Sequence, residues 1–348
     1  MASPRTPGKI EARFSARNAS IDTQRAIGIT TTIPVEAVYA AGLIPVDLNN
    51  RFITAADPAK AVEAAEHDGF PRNICSWIKG IYTAARTLGL RRIIAVARGD
   101  CSNTHALAEI LETEGLEIVD FSFPYRRDPD ELRAELARFC ERLGTTLDDA
   151  EQQKHRLDAV RATVHEIDRL TFEEGKVTGE ENHLWQINCS DFGGDPDRFA
   201  ADAAAFLDTA RRRTPAAPAI RLAAIGIPPI CSDLYQTIEQ FGGRVVFNEM
   251  QRQFSMPTPS HTLLEQYRAY TYPYDIFFRL DDVERQLDRR RAAGVIHYVQ
   301  SFCFRGIQDR IVRDRLNLPI LTLECDRPGP LDARSRTRIE AFMEMLAE

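Results

Sequence analysis

Short runs of β-branched and apolar residues alternate along this chain with longer stretches whose apolar positions recur at helical spacing. After a polar start comes a threonine run followed by Pro34. Thr32 before the proline, with Glu36 in the first turn, reads as a helix start, and Gly42 as the end of that helix. Residues 43–48 are a short apolar run that reads as a first strand. A second helix is predicted over 73–88, closed by Gly89, and RIIAVA at 92–97 reads as a buried strand. The exit loop GDCSN (99–103) leads into a helix over 104–114 and a strand over 117–121. Such alternation marks a parallel sheet covered by helices on both faces.

Residues 128–170 break the pattern. They are charged, nearly free of glycine, and carry Leu132, Leu136, Phe139 and Leu143, then Leu157, Val160, Val164 and Ile167, at helical spacing. Two or three connecting helices are predicted there. Alternation resumes with a strand over 219–225, a helix over 233–241 and a strand over 244–248. After further helices come strands over 294–300 and 318–324, and an amphipathic helix over 332–346. The expected fold is α/β: two doubly wound, Rossmann-like parallel-sheet domains joined by a helical connector. The expected boundaries are an arm over 1–24, a first domain over 25–127, the connector over 128–215 and a second domain over 216–348. No internal repeat of 20–50 residues is evident.

A length of 348 residues accommodates two such domains, and 44% hydrophobic with 27% charged residues is an ordinary globular balance. No segment approaches the roughly 20 apolar residues of a membrane helix. The polar N-terminus lacks an apolar signal core, so a cytoplasmic location is expected. A net charge of −7 argues against a nucleic-acid partner. The glycine-rich dinucleotide turn, the P-loop, H-E-x-x-H, G-x-S-x-G and the C-x-x-C pair are all missing. Any chemistry must come from residues scattered along the chain.

Seven cysteines, an odd number spread over some 250 positions, suggest free thiols or a metal site rather than a disulfide framework. Cys75 falls in the first turn of a predicted helix, where N–H groups and the helix dipole favour a thiolate. Cys101 and Cys303 fall in loops leaving predicted strands, the end of a parallel sheet where ligand sites collect. Three thiolates without a fourth suit an iron–sulfur cluster with one open iron, or zinc with a water in its fourth position. Burial as small hydrophobes is the plain alternative. It is the better fit for the remaining four: Cys140 lies inside the helical connector and Cys325 follows a strand, while Cys189 and Cys231, in or near loops, stay weaker candidates as ligands.

Three blocks, in order, resemble the 2-hydroxyacyl-CoA dehydratase and benzoyl-CoA reductase family of iron–sulfur proteins, which includes the double-cubane cluster proteins. They are TIPVEAVYAAGLIPV (32–46); NICSW (73–77) with GDCSN (99–103); and GVIHYVQSFC (294–303) continued by LPILTLECD (318–326) and RTRIEAF (336–342). DFGGD (191–195) and GGRVVFNE (242–249) support them. The resemblance spans roughly 25–345. The chain is short beside the larger dehydratase subunits, and its proline-rich loop GIPPIC (226–231) carries an extra cysteine.

The resemblance implies that Cys75, Cys101 and Cys303 hold an iron–sulfur cluster, either [4Fe-4S] or a double-cubane [8Fe-9S] shared across a dimer. It implies anaerobic, one-electron chemistry: an ATP-dependent activator protein reduces the cluster, and a ketyl radical of a CoA thioester loses water. A homodimer or a heterodimer with a related subunit is implied, with acyl-CoA or another small molecule as substrate. The alternatives are a double-cubane reductase of small molecules and a non-catalytic electron-transfer subunit.

Candidate catalytic residues are Thr31, Glu36 and His105. Thr30, Thr31 and Thr32 offer donors to an anion or substrate oxygen, although N-capping accounts for at least one of them. Glu36 either shuttles protons at the cluster or simply suits the helix dipole. His105 lies one helical turn past Cys101. His297 reads as a core histidine, and Tyr39 and Trp77 as core aromatics. Glu249 and Glu324, at strand ends, are expected at a cleft rim. Arg305 is expected either to meet a cluster or substrate anion or to be solvated.

Overall fold

Strands that are apolar on both faces can only be satisfied inside a layered α/β structure, and the chain builds two such layers. The computed structural model describes residues 22–348, so nearly all of the expected arm lies outside the described residues. One sheet holds β1 (Ala26–Ile29), β2 (Ile44–Asp47), β3 (Arg92–Arg98) and β4 (Glu117–Ser122), in the order β2-β1-β3-β4. The other holds β5 (Ile220–Gly226), β6 (Gly243–Asn248), β7 (Gly294–Val299) and β8 (Ile320–Glu324), in the order β6-β5-β7-β8. Every pairing is parallel. The two sheets therefore repeat one arrangement. In each, the chain steps to one side of its first strand and then crosses to the other. That reversal opens a crevice beyond the carboxyl ends of β1 and β3, and again beyond β5 and β7.

Residue alternation along the strands divides the packing. Ile27, Ile29, Ile94 and Val96 face a core with Leu157, Val164 and Ile167 of the helix Leu147–Phe172. Ala26 and Ile93 face the other way, into a core that continues through Ile78 and Ile81 to Leu222, Ile296 and Tyr298 of the second sheet. Apolar packing thus runs unbroken from one sheet to the other. The opposite face of the second sheet, including Val295 and Phe247, packs on Leu280, Val283 and Leu287 of the amphipathic helix Ile276–Arg290. Each fully buried Leu or Ile contributes about 1.5–3 kcal/mol.

The charged stretch after 128 forms helices Pro129–Leu143 and Leu147–Phe172, followed by Gly179–Ile187 and Pro196–Arg211. Asp128 caps the first through the N–H groups of Asp130 and Glu131, and Gly144 ends it in the left-handed conformation (φ 79°).

Three local expectations need correction. β1 precedes the strand taken as first; it is only four residues long, with a glycine inside it. The helix expected from Thr32 starts at Val35, with Pro34 at its N-cap and no side-chain cap bond, so the threonines belong to the loop leaving β1. Helices Leu48–Ile53 and Pro58–His67 fill the crossover before the predicted helix over 73–88, which begins at Ser76.

Candidate functional site

The loops at these two crevices meet around one cavity of about 110 Å³. The first sheet supplies Thr30, Thr31 and Thr32 after β1, Asp47 at the end of β2, and Asp100 and Cys101 after β3. The second supplies Ile227 and Pro228 after β5, and Cys303, Phe304 and Arg305 after β7. Two glycines permit the close approach. Gly226 (φ +107°) would place a Cβ 2.1 Å from the Tyr298 carbonyl oxygen, and at Gly99 (φ +103°) a Cβ would lie 2.9 Å from Phe123 and Pro273.

Cys75, Cys101 and Cys303 all line this cavity. Each is the N-cap residue of a twelve-residue helix: Ser76–Thr87, Ser102–Thr113 and Phe304–Arg315. None makes a side-chain cap bond. Three thiols thus stand at three positive helix ends, where free backbone N–H groups favour anionic ligands. The Cys75 thiol donates to Gln300 Oε1 at 3.0 Å, and the same oxygen accepts from Ser76 N at 3.1 Å. Gln300 therefore ties the end of β7 to the start of the Cys75 helix. A second tie runs from the Ser76 hydroxyl to the Asp326 carbonyl.

The helix position does not by itself make Cys75 a thiolate, contrary to expectation. Burial pushes its thiol up to about 12, against the pull of the Ile78 and Trp77 N–H groups. Burial, with Asp100 adding to it, also raises Cys101. Without a cation these thiols are protonated at neutral pH; a metal centre would reverse that balance. Soft sulfur donors around a largely apolar hollow fit an iron–sulfur group. Zinc fits less well, since it needs all its sulfurs about 2.3 Å from one ion. Among the described residues, no group of three or more Cys, His, Asp or Glu is placed to hold a single metal ion.

Polar groups complete the wall. Arg305 is 3% exposed; its Nη2 donates to the Tyr272 carbonyl at 3.2 Å, and its guanidinium lies over the Tyr272 and Phe304 rings. Asp100 accepts from the Thr104 hydroxyl at 2.9 Å and from the Tyr272 hydroxyl at 3.2 Å, and burial raises its pKa. The Thr30 carbonyl accepts from Asn49 Nδ2 at 2.8 Å, whereas the buried Thr30 and Thr32 hydroxyls have no hydrogen-bond partner.

Two expected catalytic residues lie elsewhere. Glu36 is wholly buried but away from the cavity, paired with Arg161 at 2.8 Å and accepting from Gln266 Nε2 and the Tyr267 hydroxyl, each at 2.7 Å. Its partners come from segments more than 120 residues distant. The His105 side chain is 64% exposed and pairs with Glu109 at 3.5 Å. Because Cys101 caps the helix rather than starting it, Thr104 is the residue that turns back over the thiol, with Oγ1 3.6 Å from Sγ. Glu249 is not at a rim either: it is buried in a two-bond pair with Arg279. Glu324 ends β8 exposed.

His297 is a core residue, bonded through Nδ1 to Asp309 at 2.6 Å. Tyr39 donates to the Asp191 carbonyl, but Trp77 lines the cavity. Cys140 and Cys189 are buried, and neither Cys231 nor Cys325 lines the cavity. Sequence reasoning passed over Tyr272, Asp47 and Asp100. Asp100 had a signal in its position beside Cys101; Tyr272 lies in a loop more than 25 residues before Cys303 and had none.

Comparison with known proteins adds one finding. The family model described as 2-hydroxyglutaryl-CoA dehydratase, D-component, matches residues 30–346. No curated protein matches the chain. Among the described residues no helix is long and apolar enough to cross a membrane.

Proposed function

The chain belongs to the 2-hydroxyglutaryl-CoA dehydratase D-component family, and from that premise we propose that it is the iron–sulfur component of a 2-hydroxyacyl-CoA dehydratase-type enzyme. Cys75, Cys101 and Cys303 are the proposed ligands of a [4Fe-4S] cluster, or of a double-cubane [8Fe-9S] cluster shared across a dimer. The observation that carries this reading is that these three cysteines, and no others, cap helices that open onto one cavity. Such a cluster supplies one low-potential electron to a CoA thioester as water is eliminated.

The chain's own residues do the rest. The helix N-termini stabilise negative charge at the cluster, and Gln300 orients Cys75. Apolar side chains such as Ile78, Ile187 and Phe254 exclude water from the hollow. Thr31, on the loop leaving β1, is the proposed contact to a substrate oxygen. Glu36 and His105 have no part in it, given their placement. An ATP-dependent activator and a second subunit, identical or related, are the proposed partners. The proposed units are 25–127 and 216–348, one sheet each, with 128–215 between them.

The test is anaerobic iron and sulfide analysis with EPR on the full chain and on Cys75→Ala, Cys101→Ala, Cys303→Ala and Cys140→Ala. Each of the first three is expected to lose the signal, while Cys140→Ala keeps it. Full iron content in any of the first three overturns the ligand assignment. The iron-to-sulfide ratio, with the oligomeric state, distinguishes the two clusters.

A further inference from the structure

Two cysteines with no place at the cavity, Cys231 on the loop after β5 and Cys325 just past β8, belong to one packed region. Cys231 is 7% exposed, whereas Cys325 is half-buried between the exposed residues Glu324 and Asp326. The buried Tyr298 hydroxyl ties their segments together, accepting from Ile230 N at 3.0 Å and donating to the Cys325 carbonyl at 3.1 Å. The chain beyond Cys325 then folds back onto Cys231. Gly329 pairs with Cys231 in a parallel bridge and accepts from Ser232 N at 2.9 Å, and Leu331 N donates to Asp233 at 2.7 Å.

The two thiols differ in character. Cys231 is pushed well above the usual thiol value, by Cys325 first and burial second. Cys325 is held below it, by Cys231 first, with the Ser335 hydroxyl also acting against burial. An accessible sulfur that carries the negative charge, beside a buried protonated one, is the arrangement that thiol–disulfide exchange uses: the first attacks and the second resolves.

The residue next to this pair touches the functional site. The Asp326 carboxylate accepts from Ser301 N at 2.8 Å and from the Ser301 hydroxyl at 2.7 Å, and its carbonyl accepts from the Ser76 hydroxyl. Ser301 is two residues before Cys303, and Ser76 follows Cys75.

We propose that Cys231 and Cys325 form a redox-active dithiol, closed to an intramolecular disulfide by a low-molecular-weight disulfide, and that closure is transmitted through Asp326 to the loops bearing Cys75 and Cys303. The Cys325 thiolate attacks one sulfur of the small disulfide, forming a mixed disulfide and releasing one thiol. Cys231 gives up its proton and attacks the Cys325 sulfur, releasing the second thiol. The pair loses two electrons and two protons, and the small disulfide is reduced to two thiols. The dithiol stands on its own geometry and does not depend on the dehydratase reading.

The test is anaerobic incubation of the full chain with oxidised and reduced glutathione at graded ratios, followed by thiol alkylation and peptide mass mapping. A Cys231–Cys325 linked peptide is expected to grow with the oxidised fraction and to vanish with dithiothreitol, while Cys140 and Cys189 remain free. Cys231→Ala halts at the glutathione adduct of Cys325, and Cys325→Ala leaves Cys231 unreacted. In the oxidised wild type, amide exchange in the segments around Ser76 and Ser301 changes by about threefold or more, and helix Pro129–Leu143 is unaffected.

The wild-type map decides the dithiol even where a variant does not fold. No linked peptide in fully oxidised glutathione overturns it, as do disulfides confined to Cys75, Cys101 and Cys303. Modification of Cys325 no faster than that of Cys140 overturns it as well. Unchanged exchange around Ser76 and Ser301 in the linked form overturns the transmission through Asp326.

Discussion

The two sheets share one strand order and present corresponding loops to one cavity; both walls carry apolar side chains, Trp77, Ile78 and Ile81 among those of the first, yet the polar groups they offer differ. The first sheet contributes hydroxyls and acids, Thr30 to Thr32, Asp47 and Asp100, together with Cys101; Cys75 comes from the long crossover before β3. The second contributes Ile227, Pro228, Met250, Phe254 and Tyr272, with one cysteine and a lone cation, Arg305. Cys101 and Cys303 hold matching places, each capping the helix that follows the third strand of its sheet. The scaffold fixes where a ligand goes, and loop composition decides what each side offers it.

The supports beneath the walls differ as well. In the second half, burial would raise the Glu249 pKa, but the Arg279 guanidinium prevails and holds it below the usual carboxylate range. Beside β2, Asp47 and Asp191 share a buried site with no cation in contact. The Asp191 carboxylate accepts from Asp47 N at 2.8 Å, and the Ser190 hydroxyl donates to Asp47 at 2.5 Å. Burial first, and the neighbouring Asp47 second, push Asp191 up to about 6.

The largest effect should come from breaking the compensated pair. Arg279→Met strands Glu249 in the interior, and a loss of about 3–5 kcal/mol is expected in urea unfolding. Arg305→Met, at a residue with no carboxylate within ion-pair distance among the described residues, should cost clearly less in the same assay, since it loses one hydrogen bond to the Tyr272 carbonyl and two ring contacts. Similar losses for both would show that Arg305 is as fully paired as Arg279, and the contrast between the two arginines would disappear.

A smaller effect separates the acidic site from the paired one. Asp191 titrates near 6 when folded and near 3.8 when unfolded, so the native state binds the extra proton between those values. Stability is then highest below about pH 4 as far as this group is concerned, and falls as pH rises towards 6, by on the order of 2 kcal/mol. Asp191→Asn should flatten that fall. Its absolute stability also drops, because an amide oxygen cannot accept from both Asp47 N and Gly193 N as the carboxylate does. The slope between pH 4 and 6 is therefore the readout, and an unchanged slope would refute the assignment.

Periodicity made most of the architecture legible. Seven of the eight strands, the helical connector and the closing helix lie where hydrophobic pattern and turn residues put them. β1 was lost because four residues carry too little pattern. The cysteines were legible as residues following strands and opening helices, a local property. Glu36 was not: a first-turn glutamate looks the same whether it meets solvent or Arg161, and only the long helix packing across the first sheet decides. The setting of Arg305 was equally hidden, because the Tyr272 carbonyl and ring that hold it come from a loop 33 residues earlier in the chain.

The smallest expected effect tests the first wall directly. Thr30 is held by its backbone: its N–H donates to the Ile94 carbonyl at 3.2 Å, and its own carbonyl accepts from Asn49 Nδ2. Its hydroxyl holds nothing. Thr30→Val keeps the shape and both backbone bonds, and removes a buried polar group that had no partner. Stability should stay within about 1 kcal/mol of wild type, or rise slightly. Acyl-CoA affinity should nonetheless weaken by roughly threefold to tenfold, the worth of one hydrogen bond. A hydroxyl that matters to the ligand and not to the fold was placed for the ligand. If Thr30→Val instead destabilises the protein and leaves acyl-CoA binding untouched, the Thr30 hydroxyl is structural, and it has no part in ligand recognition.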